Sequence, residues 1–131
     1  KLTDRERINL RAVKLARRSA KLPGGLPSEL RVPLQELGEA ALSQLYAAIR
    51  LYGQYETSDA RALVEGDAFV DKLFKQSRQR IVELMRQSPE DAERLFRCTM
   101  CFHALEHVAD HAVAIADRMR VVYEAREIPD F

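Results

Sequence analysis

A chain of 131 residues with 47% hydrophobic and 31% charged residues has the composition of one globular domain, which excludes a disordered tail. No run of about 18 uncharged apolar residues occurs, so the sequence predicts no transmembrane segment. Two cysteines provide no disulfide framework, which is typical of a reducing compartment. The net charge of +1 is unevenly distributed along the chain: residues 1–22 have a net charge of +6 and the remaining residues have a net charge of −5.

The first predicted element is a basic helix within residues 1–25. Thr3 followed three residues later by Glu6 is typical of a capping box, and Pro23-Gly24-Gly25 ends the helical pattern after Leu22. A basic helix either binds phosphate groups or an anionic partner, or packs on an acidic body. We favour packing, because it requires no additional ligand.

Residues 26–32 are interpreted as a linker, and residues 33–131 as three further helices. Pro33 suits the first turn of the second helix, whose apolar residues recur at spacings of three and four from Leu34 to Tyr52. Gly53 and the polar residues after it end this pattern.

The third and fourth helices are long and joined by a short connection. The third is predicted from about Ser58 to Gln87, and Ser88-Pro89 then provides a strong start for a fourth helix that runs to about Ala125. No segment alternates with a period of two residues, so no strand is predicted. The expected fold class is all-α: an antiparallel three-helix bundle with an additional N-terminal helix.

Two acidic pairs stand out on the third and fourth helices. Asp67 and Asp71 are four residues apart, as are Glu106 and Asp110, so each pair lies on one helix face. Asp67 occupies a position in the apolar stripe where Leu or Val would stabilise the bundle more. Four carboxylates from neighbouring helices form an oxygen ligand set for a hard cation such as Mg²⁺, Mn²⁺ or iron.

His103 lies one turn before Glu106 and could add a nitrogen ligand to such a site. The alternative is that all four acids are solvated and paired with nearby Lys and Arg. For two pairs at the edge of an apolar stripe, the residues alone leave both interpretations open.

The same two segments resemble motifs of the PhoU family. The stretch from Leu105 to Ala116, LEHVADHAVAIA, is similar to the family's LERIGDHAVNIA stretch, and EGDAFVD at residues 65–71 is similar to its other acidic motif. The resemblance extends over residues 33–131 in helix lengths and breaks. His107 and Ala109 stand where the family has Arg and Gly. The metal-binding residues that the resemblance implies are therefore limited to the four acids that are retained: Asp67, Asp71, Glu106 and Asp110.

The resemblance also accounts for the N-terminal helix. PhoU proteins contain two three-helix repeats of about 100 residues, and residues 6–20 match residues 106–120 at five of fifteen positions. The first helix is therefore interpreted as the possible end of a preceding repeat. Leu10 stands where the acidic motif has its Asp, so this segment offers no metal cluster.

The resemblance to this family implies regulation and not catalysis. It implies a cytoplasmic regulator of phosphate transport and phosphate-starvation signalling that contacts a phosphate ABC transporter and a membrane sensor kinase. It also implies a bound metal ion, which could be iron, zinc, manganese or magnesium. We further expect a homo-oligomer, for example a homodimer, because apolar residues of the first helix such as Ile8 and Leu15 need a surface.

Other functions remain as alternatives. The chain could be the cytoplasmic PhoU-like domain of a sodium–phosphate cotransporter. A helical-bundle metalloenzyme ranks lower, because ferritin-type sites need Glu-x-x-His on two helices. A nucleic-acid binder that uses the basic helix also ranks lower, because that helix has no aromatic residue. Cys98-x-x-Cys101 lies in mid-helix, so Cys98 is predicted to be a small buried hydrophobe.

Overall fold

The computed structural model describes residues 25–127. Three long helices account for nearly all of this range: α1 spans Ser28–Gly53, α2 spans Thr57–Gln87 and α3 spans Ala92–Glu127. A single 3₁₀ turn at Pro89–Asp91 joins α2 to α3. No strand occurs between residues 25 and 127, and the predicted all-α class is confirmed. The predicted N-terminal helix lies outside these residues.

Each of the three helices packs against both of the others, so the predicted up-down-up bundle is confirmed. The connections are short, which makes consecutive helices antiparallel neighbours. None of the helices between residues 25 and 127 combines the length and the apolar character that a membrane crossing requires.

The start of α1 differs from the prediction. The helix begins at Ser28, five residues before Pro33, so residues 28–32 are helical and are not a linker. Leu30 explains the difference, because its side chain is fully buried in the core and its N–H donates to the carbonyl of Pro27 at 3.0 Å. Pro33 leaves only the carbonyl of Glu29 without an intrahelical donor, and water can reach that exposed residue.

The side chains that recur at helical spacing on α2 and α3 line the core. All of them are buried or half-buried: Ala60, Leu63, Asp67, Val70, Phe74, Ser77, Ile81 and Leu84 on α2, and Leu95, Cys98, Phe102, Leu105, Ala109, Ala112, Ala116 and Met119 on α3. On α1, Tyr52 was expected to be buried, but 78% of it is exposed. Leu51 is the fully buried residue of the last turn, seven positions after the buried Gln44, and Tyr52 lies just before the helix ends at Gly53.

The core divides into two clusters along the bundle. The larger contains Ala41, Val70 and Phe102, and the smaller contains Ala47, Leu63 and Ala112. Gln44 lies between the two clusters on α1, and Asp67 lies between them on α2. The break in the apolar core therefore coincides with the level of the first acidic pair.

Candidate metal centre

The four predicted site residues lie on the two neighbouring helices α2 and α3. Asp67 and Asp71 are on α2, whereas Glu106 and Asp110 are on α3, which runs in the opposite direction. Asp67 and Glu106 are half-buried, and Asp71 and Asp110 are exposed. The carboxylate of Asp110 on α3 acts electrostatically on Asp67, and that of Asp71 on α2 acts on Glu106, so the two pairs are near neighbours.

The pKa values of the two half-buried acids, Asp67 and Glu106, are both raised. Burial, followed by repulsion from the carboxylates of Asp110 and Asp71, raises the pKa of Asp67 above its ordinary value. Burial and then the Asp110 carboxylate likewise raise the pKa of Glu106, while His103 opposes this shift. The acid-x-x-x-Asp pairs therefore repel one another across the α2–α3 contact, and a bound cation would relieve this repulsion.

Basic and aromatic groups border the carboxylates. The ammonium group of Lys75 lies 3.1 Å from a carboxylate oxygen of Asp71, one turn along α2. The rings of His103 and His107 have centroids 4.4 Å apart, and His103 also makes an edge contact with Phe74 at 6.0 Å. His103, the predicted additional ligand, is thus beside Glu106 at the edge of the acidic site.

The donor chemistry of the site fits a hard cation, but the side-chain directions do not converge on one point. Within residues 25–127, no three His, Cys, Asp or Glu side chains are arranged to hold a metal ion. Asp71 is turned towards Lys75, so metal binding would require it to leave that ion pair. Two neighbouring helices thus carry the four carboxylates, and among residues 25–127 these groups do not form a ready coordination sphere.

A buried polar contact positions the helix that carries Asp67. Gln44 is only 3% exposed, and its Nε2 donates to the carbonyl oxygen of Leu63 at 2.9 Å. Gly66 has no side chain at the place where Gln44 approaches α2. The sequence analysis assigns no role to Gln44. The sequence feature that indicates this contact is Gly66, because a glycine in the middle of a helix costs stability unless a close contact requires it.

The Cys98-x-x-Cys101 segment is buried in the core. Cys98 and Cys101 are 0% and 1% exposed, and neither forms a disulfide. Burial is the main reason that the pKa of the Cys98 thiol is raised. The raised pKa keeps this thiol protonated. The prediction that Cys98 is a small buried hydrophobe is confirmed.

Comparison with known proteins places these features in a family. Residues 34–119 match the PhoU domain, and this range includes both acidic pairs. Curated relatives named phosphate-specific transport system accessory protein PhoU homolog occur in several bacteria. The relative from Rhizobium meliloti (strain 1021) is 26% identical over 115 residues, which cover 87% of this chain and 48% of the relative.

Two relatives from Pseudomonas give the same picture. The Pseudomonas putida protein is 25% identical over 94% of this chain and 48% of its own length, and the Pseudomonas aeruginosa protein (strain PAO1) is 27% identical over 94% and 50%. The chain therefore spans about half the length of the curated relatives it matches. No solved structure matches it significantly. The PhoU domain match covers most of the chain and both acidic motifs, and the chain belongs to the PhoU domain family.

Proposed function

We propose that this chain is an accessory regulator of phosphate transport and phosphate-starvation signalling. It acts through protein contacts in the cytoplasm, with a phosphate ABC transporter and a membrane sensor kinase as its partners. The PhoU domain match over residues 34–119 is the observation on which this proposal rests. The names of the relatives as phosphate transport accessory proteins support it.

The surface of the bundle supports a role in binding other proteins. Large apolar side chains are exposed on all three helices, for example Tyr46 on α1, Phe69 on α2 and Phe96 on α3, each between 54% and 59% exposed. Exposed aromatic residues of this kind are enriched at protein interfaces. We propose a regulator without catalysis and also a homo-oligomer.

We further propose that Asp67, Asp71, Glu106 and Asp110 bind a metal ion, which could be iron, zinc, manganese or magnesium. The raised pKa values of Asp67 and Glu106 support this proposal, because repulsion from Asp110 and Asp71 adds to the effect of burial in raising both of them. Carboxylate oxygens are the ligands that hard divalent cations prefer. The metal would have a structural role or tune assembly, by joining the two helices that form this face.

Deletion of the gene in its own host tests the regulatory proposal. The readouts are expression of a phosphate-starvation reporter and the rate of phosphate uptake in phosphate-replete medium. The proposal predicts that deletion raises both and that the wild-type gene, restored in its natural context, returns them to normal. If the deletion strain matches the wild type in both readouts, the proposed function is wrong.

Membrane-binding experiments test the two proposed partners separately from the regulatory role. The protein is tested for retention on membranes that contain the phosphate transporter and on membranes from a strain without it. Retention that requires the transporter is expected. Equal retention on both membranes would contradict the transporter as a partner, and the sensor kinase is tested in the same way.

A further inference from the structure

Two imidazole rings lie side by side on the surface of α3. His103 and His107 are four residues apart, about one helical turn, and both are exposed. Their ring centroids are 4.4 Å apart, and the ring planes make an angle of 68°. His103 also makes an edge contact with Phe74 of α2, with 6.0 Å between the ring centroids. The neighbouring helix therefore supports one ring of the pair, and the second ring packs against the first.

The separation of the two rings suits chelation of one metal ion. A Zn–N bond of about 2.0–2.1 Å places the metal about 3.2 Å from the centre of each coordinating imidazole ring. For N–Zn–N angles of about 90° to 109°, the two ring centres would lie about 4.5–5.2 Å apart. The observed 4.4 Å is close to the lower end of this range, so α3 alone holds the rings at a chelating distance. Two histidines at this spacing on a helix are a known way of binding zinc.

Charge around the pair favours a cation. Glu106 lies between the two histidines in sequence, is half-buried, and interacts electrostatically with both imidazoles. Asp110 follows His107 by three residues and therefore shares this face of α3. No Lys or Arg occurs on α3 between Arg97 and Arg118. The face that carries the histidines therefore has a negative potential, which attracts a cation.

The donor atoms distinguish this pair from the four carboxylates. Imidazole nitrogen suits Zn²⁺, Cu²⁺ and Ni²⁺, whereas carboxylate oxygen suits Mg²⁺ and Mn²⁺. Both histidines are on α3, so chelation by them needs no ligand from α2. His107 stands where the family motif has Arg, so the pair belongs to the sequence of this chain and is not part of the motif.

We propose that His103 and His107 form a metal-binding position separate from the four carboxylates, which takes a divalent cation of the zinc class: Zn²⁺, Cu²⁺ or Ni²⁺. The two imidazoles supply two ligands, and water or a donor from another molecule completes the coordination. Because the site is open, we expect it to fill when zinc is added and not to retain zinc through purification. This inference is independent of the proposed function, because neither acidic pair serves as a ligand.

Zinc titration followed by calorimetry tests this proposal. Four full-length proteins are compared after removal of metal with chelator: the wild type, Asp67→Asn/Asp71→Asn, His103→Gln/His107→Gln, and the protein with all four substitutions. The buffer is held at about pH 7.5, above the ordinary histidine pKa of about 6.5. Asp67→Asn/Asp71→Asn removes the α2 half of the carboxylate site and leaves the α3 face intact. All four substituted residues are exposed or half-buried, and circular dichroism checks that each variant is folded.

The decisive comparison is between Asp67→Asn/Asp71→Asn and the protein with all four substitutions. The former should bind zinc, and the latter should bind it at least about tenfold more weakly, because even residues that only support a metal ligand contribute about that much. Equal zinc binding by these two proteins would overturn the proposal, as would no binding by Asp67→Asn/Asp71→Asn up to about 1 mM zinc. The carboxylate site is read separately, from the difference between the wild type and Asp67→Asn/Asp71→Asn.

Discussion

The side-chain amide of Gln44 occupies the space that a side chain on Gly66 would need. A Cβ atom at Gly66 would lie 2.6 Å from Cδ of Gln44, well inside van der Waals contact. The same amide donates to the carbonyl of Leu63 at 2.9 Å, one turn before Asp67. This contact fixes how closely α1 approaches the part of α2 that carries the acidic motif.

Gly66→Ala should therefore destabilise the bundle. Displacing Gln44 costs its buried hydrogen bond and strains the packing, about 1–3 kcal/mol, against about 1 kcal/mol gained in helix propensity. Chemical denaturation measures the net change. Gly38→Ala is the control, because its Cβ would make an ordinary contact 3.9 Å from Leu105, and this variant should gain up to about 1 kcal/mol. If the two variants change the unfolding free energy equally, the inferred close contact between Gln44 and Gly66 is wrong.

Repulsion at the acidic site gives a pH-dependent prediction for the metal-free protein. The pKa of Glu106 in the fold is raised above its ordinary value of 4.5, so the folded state binds a proton more readily than the unfolded state. The contribution of Glu106 to the unfolding free energy should therefore fall as the pH rises from about 4.5 through the raised pKa. The stability penalty is absent below this window and complete above it.

Glu106→Gln should remove this penalty. At pH 7 with chelator present, removing a half-buried charge and its repulsion with Asp110 should raise the unfolding free energy by about 0.2–0.5 kcal/mol, and the gain should vanish near pH 4. Glu65→Gln replaces an exposed carboxylate on α2 and should show no comparable gain. Urea denaturation at both pH values checks this. A loss of stability in Glu106→Gln at pH 7 would contradict the electrostatic interpretation.

An aromatic stack closes one end of the bundle. The rings of Tyr55, in the α1–α2 loop, and Tyr123, near the end of α3, are stacked with centroids 4.3 Å apart. Tyr55→Ala should cost about 1–2 kcal/mol, through the lost stack and the lost apolar burial. Tyr52→Ala is the control, because Tyr52 is 78% exposed and its removal should change the melting temperature little. Equal effects would show that the stack contributes nothing.

Thiol reactivity tests the packing of α3. Cys98 and Cys101 are buried, and burial raises the pKa of Cys98, so neither thiol should react readily at pH 8. We expect reaction with a disulfide reagent to be at least about 100-fold slower in the native protein than in denaturant. Rapid reaction of one thiol in the native state would contradict the packing.

Much of the fold follows from helical periodicity. Apolar side chains recur at helical spacing along α2 and α3; Leu63, Val70 and Ile81 are examples on α2. Their burial in the core confirms the predicted helices. The start of α1 could not be predicted, because Pro33 signals a helix beginning whereas the burial of Leu30 extends the helix by a turn. That burial depends on contacts with the other helices.

The candidate site could be predicted only in part. The spacing of Asp67 and Asp71 places them on one face of α2, and helix packing brings this face against Glu106 and Asp110. Side-chain direction is a local matter that spacing does not determine, as the ion pair of Asp71 with Lys75 shows. Gln44 was missed, because a polar residue at a buried position gives no periodic signal until its partner on α2 is known.

Metal content measured by elemental analysis tests most directly whether the two acidic pairs act as one site. The wild type is purified without chelator beside the variant Asp67→Asn/Asp110→Asn, whose fold is checked by circular dichroism. Glu65→Gln/Glu83→Gln removes two exposed carboxylates of α2 as a control. The account predicts stoichiometric metal in the wild type and control and its loss from the Asp67→Asn/Asp110→Asn variant. An absence of metal from all three proteins, even after metal is added back, would contradict the account.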